Sequence, residues 1–174
     1  QDDVPAVEGK LVWGDTDGTL NLGLKGGNVN QQIGQEIFLP RAKALGSDID
    51  NGQIVFLAGA SGFKPTVSLA QADVLTESDN TIAVATEDVS ENAQGYFTAF
   101  GLVRDVPVPV ATFSDGDEIY LSATVAGAFV NVKPVSPNQT VSIGYVIKAH
   151  DTEGIIFVKI SRKNHEFERN YGMT

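Results

Sequence analysis

At 174 residues, with 42% apolar and 20% charged side chains, the chain has room for one sizeable core or two small ones and is not a disordered tail. A formal net charge of −10 disfavours nucleic acid, whose phosphates are gripped by Lys and Arg that release counterions, and disfavours an anionic membrane surface. No cysteine is present, which excludes disulfides, thiolate catalysis and thiolate zinc sites.

Residues 1–10 are polar, carry Pro5 and lack periodicity, so they read as an N-terminal arm. Short strands begin at residue 11. Residues 11–13 precede the turn Gly14-Asp15-Thr16-Asp17-Gly18, and residues 19–24 follow it. In that run Leu20, Leu22 and Leu24 share one face, because side chains alternate along a strand. Gly26-Gly27-Asn28 makes another turn; residues 29–34 then lead to a strand over 36–39 that Pro40 stops. Composition shifts over 42–51, dividing the chain into an N-terminal strand module at 11–50 and a larger β-domain at 52–160.

The pair Asn51-Gly52 signals a tight turn. Strands are expected over 53–58 and 65–69, flanking the small residues Gly59-Ala60-Ser61-Gly62, and residues 70–78 form the only helix candidate. Further strands are expected over 82–85, 96–103, 118–123, 128–132, 140–147 and 155–160. Residues 105–114 contain Pro107 and Pro109, which hold an extended connection. The pattern predicts an all-β fold: an antiparallel sandwich or barrel-like domain of short strands, an N-terminal strand module and at most one short helix. Ile155 and Phe157 alternate with Ile156 and Val158, and Tyr145 with Val146, so these strands are apolar on both faces. Such strands line the interior of a sandwich or barrel, or lie under a neighbouring subunit.

Residues able to carry chemistry are sparse. Asp15-Thr16-Asp17-Gly18 and Asp48-Ile49-Asp50-Asn51-Gly52 look like the opening of calcium loops, yet neither supplies the later bidentate acid in register. They and Asp115-Gly116-Asp117 read as turns. His150 and Asp151 are neighbours, so on a strand they point to opposite faces, which is poor geometry for an oriented base. His150 is expected in a surface turn. No nucleophile elbow, zinc-protease helix or phosphate loop is present. Glu87, Asp88, Glu91, Asp117 and Glu118 could supply a glycosidase acid pair, although a solvated surface is the commoner fate of such residues. Asn138-Gln139-Thr140 fits a glycosylation triplet, and the prolines around it favour a rigid turn. Tyr96, Phe97, Phe100 and Tyr120 could stack on sugars, with core packing the commoner role. No cofactor and no metal are expected.

Residues 161–174 change character. Arg162, Lys163, His165, Phe167, Arg169 and Tyr171 make a basic and aromatic tail suited to an acidic neighbour. Trp13, Phe157, Arg162, Lys163, Phe167, Arg169 and Tyr171 are the candidate contacts to another copy or to a partner surface.

Two groups of residues carry a resemblance. The run Trp13-Gly14-Asp15-Thr16-Asp17-Gly18-Thr19-Leu20-Asn21-Leu22-Gly23-Leu24-Lys25-Gly26-Gly27-Asn28-Val29 resembles the opening of many tailed-bacteriophage virion proteins. The second group includes Gly95-Tyr96-Phe97, Gly101-Leu102-Val103-Arg104 and Asp115-Gly116-Asp117-Glu118-Ile119-Tyr120-Leu121-Ser122. It continues through Ala126-Gly127, Lys133-Pro134, Pro137-Asn138, Ile143-Gly144-Tyr145-Val146 and Gly154-Ile155-Ile156-Phe157-Val158. This group resembles the β-domain of phage head fibres, tail fibres and capsid decoration or cement proteins. The resemblance spans residues 10–160 and implies a non-enzymatic virion protein at the capsid surface or in a fibre. It also implies a homotrimer whose partners are the major capsid protein or other virion proteins, with no catalytic residue to carry over. The tail from residue 161 departs from the fibre-type pattern. An alternative is a tail-fibre or baseplate module contacting host glycans, and a third is a capsule depolymerase.

Overall fold

The structure, a computed structural model, describes residues 7–162. Residues 1–6 of the expected arm, and Lys163, Phe167, Arg169 and Tyr171 of the expected tail, lie outside the described residues.

The reversal at Asp15-Thr16-Asp17-Gly18 joins β1 (Leu11–Gly14) to β2 (Thr19–Gly23). Gly18 adopts a left-handed φ of 66° there, a conformation glycine reaches without a Cβ clash. Its amide donates to the Gly14 carbonyl at 2.9 Å. β3 (Asn30–Gln32) returns along β2 and completes a three-stranded antiparallel sheet. Leu11 lies opposite Leu22, Trp13 opposite Leu20, and Asn21 opposite Gln32. The leucines of β2 therefore share a face, but it is the outward one: Asn21 and Gln32 are buried, while Leu11, Trp13 and Leu20 are exposed.

The chain then enters a second sheet through β4 (Ile37–Phe38) and β5 (Ala42–Ala44), before the compositional shift ends. It continues through β6 (Ile54–Ser61) and β7 (Lys64–Leu69), a single helical turn α1 (Leu75–Asp79), β8 (Thr81–Ala85) and β9 (Gln94–Gly95). The long β10 (Phe97–Val108) follows, then β11 (Glu118–Leu121), β12 (Phe129–Val130), β13 (Val141–Lys148) and the long β14 (His150–Arg162). The strand order is β12-β11-β13-β14-β10-β8-β6-β7-β5-β9, with β4 on β10. Pairing is antiparallel except between β5 and β7, where Lys43 lies opposite Thr66 and Ala44 opposite Val67 in parallel register.

The expected helix over 70–78 shrinks to α1 because Ala70 and Ala72 are fully buried in the sheet's core. Their amides donate to the carbonyls of Ile54 and Ser122, at 3.0 and 2.9 Å. The expected loop over 105–114 begins instead as strand: β10 runs to Val108 past a bulge at Asp105, whose φ is 56°. The bulge lets Pro107, which has no N–H to give, sit in the strand while Val106 and Val108 stay buried.

Two apolar clusters flank the same wall. Ile54 of β6 and Val84 of β8 pack with Val103, Ile119, Leu121, Ile143, Ile156 and Val158 on one side. Val55, Ala83 and Ala85 of the same strands pack with Ala42, Ala44, Ile49, Val67 and Phe97 on the other. Each fully buried Ile contributes about 1.5–3 kcal/mol relative to exposure. The β13–β14 register shifts between Ser142 and Gly144, and at Gly144 the strands approach so closely that a Cβ would overlap the Phe157 carbonyl oxygen.

Candidate functional site

Of the carboxylates that could have formed a catalytic pair, Glu87, Asp88, Asp117 and Glu118 are bonded into the fold. Glu118 accepts hydrogen bonds from Ser142 Oγ and from the Tyr120 hydroxyl, both at 2.6 Å. Asp117 Oδ2 accepts from the Ser114 amide at 2.9 Å, and Asp115 Oδ1 from the Ala149 amide at 2.7 Å. Glu87 accepts from the Tyr96 amide at 3.1 Å, and Asp88 from the Asn51 amide at 2.8 Å. Asp48 accepts from the Glu91 amide at 2.7 Å. Asp117 closes a local turn in this way, whereas Asp48, Asp88 and Asp115 satisfy backbone donors of distant segments. His150 opens β14 opposite Val108 rather than sitting in a turn, and its Nδ1 accepts the Glu153 amide at 2.9 Å. Among the described residues no group of three or more His, Asp or Glu side chains could hold a metal ion, and no helix is long and apolar enough to cross a membrane.

What the molecule does present is an inverted sheet. The inward face of the three-stranded sheet is polar and is held by Arg104 of β10. Arg104 Nη1 lies 3.0 Å from Glu36 Oε1, and Nη2 donates to Gln32 Oε1 at 2.8 Å. Glu36 Oε2 in turn accepts the Gln32 amide at 3.2 Å. The Glu36 side chain is buried, so the guanidinium compensates a carboxylate taken out of water. Asn51 steadies the same part of β10 by donating from Nδ2 to the Arg104 and Asp105 carbonyls.

With its polar face turned inward, this sheet shows Leu11, Trp13 and Leu20 to solvent, Trp13 at 57% exposure. Ile33 joins them beyond the end of β3, its amide bonded to the Leu20 carbonyl at 2.9 Å. An antiparallel sheet with one face on its own core normally places apolar residues inward and polar ones outward. Here the order is reversed.

A second apolar row crosses the outer face of the large sheet. Ile37 lies opposite Phe100, Phe157 opposite both Leu102 and Tyr145, and the Phe100 and Phe157 rings meet edge to face at 5.2 Å. Ile37, Phe100 and Tyr145 are exposed. Tyr96 and Tyr120 do not belong to this row: Tyr96 lies under Arg41 and accepts the Lys25 amide, and Tyr120 is buried.

Of the contact residues expected from sequence, Trp13 lies on the outward face of β1 and Phe157 is half-buried in the second row. Arg162 is exposed at the end of β14, opposite Val141. Trp13 and Phe157 stand on different sheets. The companions Leu11, Leu20 and Ile33 escaped the sequence reading because alternation groups side chains by face without saying which face meets the core. The Arg104–Glu36 joint had no local signal, since its partners are 68 residues apart. No protein-family model matches this chain, and no curated protein or solved structure matches it either.

Proposed function

We propose that the chain is a non-enzymatic structural protein of a tailed-bacteriophage virion, a capsid decoration or head-fibre base that binds the shell as a homotrimer and stabilises it. One observation carries this reading: the outward apolar face of Leu11, Trp13, Leu20 and Ile33 on a sheet whose polar face is locked inward. A contiguous exposed apolar face of that kind marks a surface made to be covered. Its Trp is the type of anchor that concentrates binding energy at interfaces. The resemblance of residues 10–160 to virion β-domains supplies the nature of the partner. The use of Glu118, Asp117 and Asp115 as hydrogen-bond acceptors within the fold supports a mechanical role over turnover.

Cosedimentation with purified capsid lattice tests the reading. The wild-type protein pellets with the lattice, and the Trp13→Ser/Leu20→Ser variant stays in the supernatant with unchanged far-UV circular dichroism. A wild-type protein that ignores the lattice overturns the proposal. The aromatic row of Phe100, Phe157 and Tyr145 favours a second reading, a tail-fibre or baseplate module stacking on host glycans. Binding to host cells and not to lattice selects it.

A further inference from the structure

The hairpin of β6 and β7 leaves the body of the molecule. Residues 57–64 are all exposed, and the segment Ala58-Gly59-Ala60-Ser61-Gly62 carries no large side chain. At its tip stands Phe63, which no other described residue covers, with a relative exposure of 109%. Small residues followed by one bare phenyl ring make a thin arm with an apolar knob. The next residue is Lys64, whose ammonium donates to Gln94 Oε1, a neutral amide that leaves the positive charge unmatched by that contact.

The same molecule carries a hole of suitable size. A cleft of about 340 Å³ opens between Pro107, Pro109, Phe113, Val125 and Phe129, with the exposed carboxylate residue Asp50 at its rim. Its aromatic floor is fixed by the packing of Phe113 on Phe129, whose centroids lie 5.3 Å apart. An apolar void of about 150 Å³ already accepts benzene, so the cleft has room for a phenyl ring and part of the turn that bears it. The ends also match in charge, with Lys64 beside the knob and Asp50 beside the hole.

The knob cannot enter its own hole. The cleft is lined by Asn51, Gly52 and Gln53, immediately before β6, whereas Phe63 follows the last residue of that strand. At about 3.3 Å per residue, the eight-residue β6 separates them by roughly 25 Å. We infer that Phe63 of one copy seats in the Pro107–Phe113–Phe129 cleft of a second copy of this chain, with Lys64 of the first copy against Asp50 of the second. The contact is head to tail. It closes into a ring where the rotation between copies permits and otherwise extends as a filament. It is independent of the virion reading, because it needs only this chain.

Sedimentation velocity on the full chain and two single-sided variants tests the contact. Phe63→Ser removes the knob and keeps the hole; Val125→Arg, at an exposed position on the cleft wall, blocks the hole and keeps the knob. Wild type is expected to associate with rising concentration, and each variant alone to sediment as a monomer with an unchanged far-UV circular dichroism spectrum. An equimolar mixture should form a one-to-one complex and nothing larger, since it holds a single competent knob–hole pair. A second arm exchanges the charges. Lys64→Glu and Asp50→Lys should each weaken association at least tenfold, and the double variant should recover most of that loss. A wild type that remains monomeric at 100 micromolar, as one designed for a different partner or a small ligand would, overturns the inference; so does a Phe63→Ser protein that assembles as tightly as wild type, or a mixture that forms no complex. Lattice cosedimentation of the wild-type protein, whose knob and hole are both intact, reports on the virion reading separately.

Discussion

Arg104 and Glu36, 68 positions apart in the chain, face each other at 3.0 Å across the joint between the two sheets. The guanidinium also reaches Gln32, so a single side chain of β10 holds the inward face of the three-stranded sheet. The orientation of that sheet, and hence the exposure of its leucines, depends on this joint.

Removing the cation should loosen the joint. Arg104→Met leaves the Glu36 carboxylate in its buried position without the guanidinium. Because Arg104 is itself partly exposed, a loss of about 2–4 kcal/mol is expected, at or below the range for a broken buried pair. Urea unfolding followed by tryptophan fluorescence measures it, with Trp13 as the chain's only tryptophan.

Gly144 should not tolerate a methyl group. A Cβ there would overlap the Phe157 carbonyl oxygen, and its φ of 151° disfavours L side chains independently of that contact. Gly144→Ala is expected to cost about 3 kcal/mol or more, because the obstacle is backbone and cannot rotate away. Gly116→Ala is the control: it also has a positive φ, of 90°, but a Cβ there meets nothing within 4 Å. Its cost should stay near 1 kcal/mol. Thermal melts of the two variants rank them.

Glu118 should behave as a structural acceptor. Glu118→Ala deprives the Ser142 and Tyr120 hydroxyls of this partner and should lower stability by about 1–3 kcal/mol. Release of reducing ends from host capsular polysaccharide should stay at background for wild type and variant alike. Turnover by wild type that vanishes in Glu118→Gln would restore the depolymerase reading.

The outward face of the three-stranded sheet should be separable from folding. Trp13→Ser and Leu20→Ser change positions that are already solvated, so unfolding free energy should move by no more than about 0.5 kcal/mol. On the proposed function, affinity for capsid lattice should nevertheless fall at least tenfold, read by cosedimentation across a protein titration.

Legibility in the sequence followed local chemistry. β11, β13 and the middle of β14 announced themselves through runs such as Glu118-Ile119-Tyr120-Leu121 and Ile155-Ile156-Phe157-Val158 bounded by turn residues. The strand β5 did not, because Ala42-Lys43-Ala44 has no β-branched or aromatic residue and becomes strand only through β7 and β9 on either side. The helix expected over residues 70–78 was overruled at Ala70 and Ala72 by burial against the sheet. The turn role of Asp115 and Asp117 was readable from their spacing to Gly116. The acceptor role of Glu118 was not, because Ser142 lies 24 residues further on. Phe63 carried no signal in the sequence; only the exposure of the whole hairpin distinguishes it.

β6 and β8 turn Ile54 and Val84 toward one apolar cluster while turning Val55, Ala83 and Ala85 toward the other. The two halves of the large sheet thus have a common partition and no seam along which to separate. Heating should consequently produce one calorimetric transition, with van't Hoff and calorimetric enthalpies in agreement. Damage on either side of the partition would be felt by amide protons on the other.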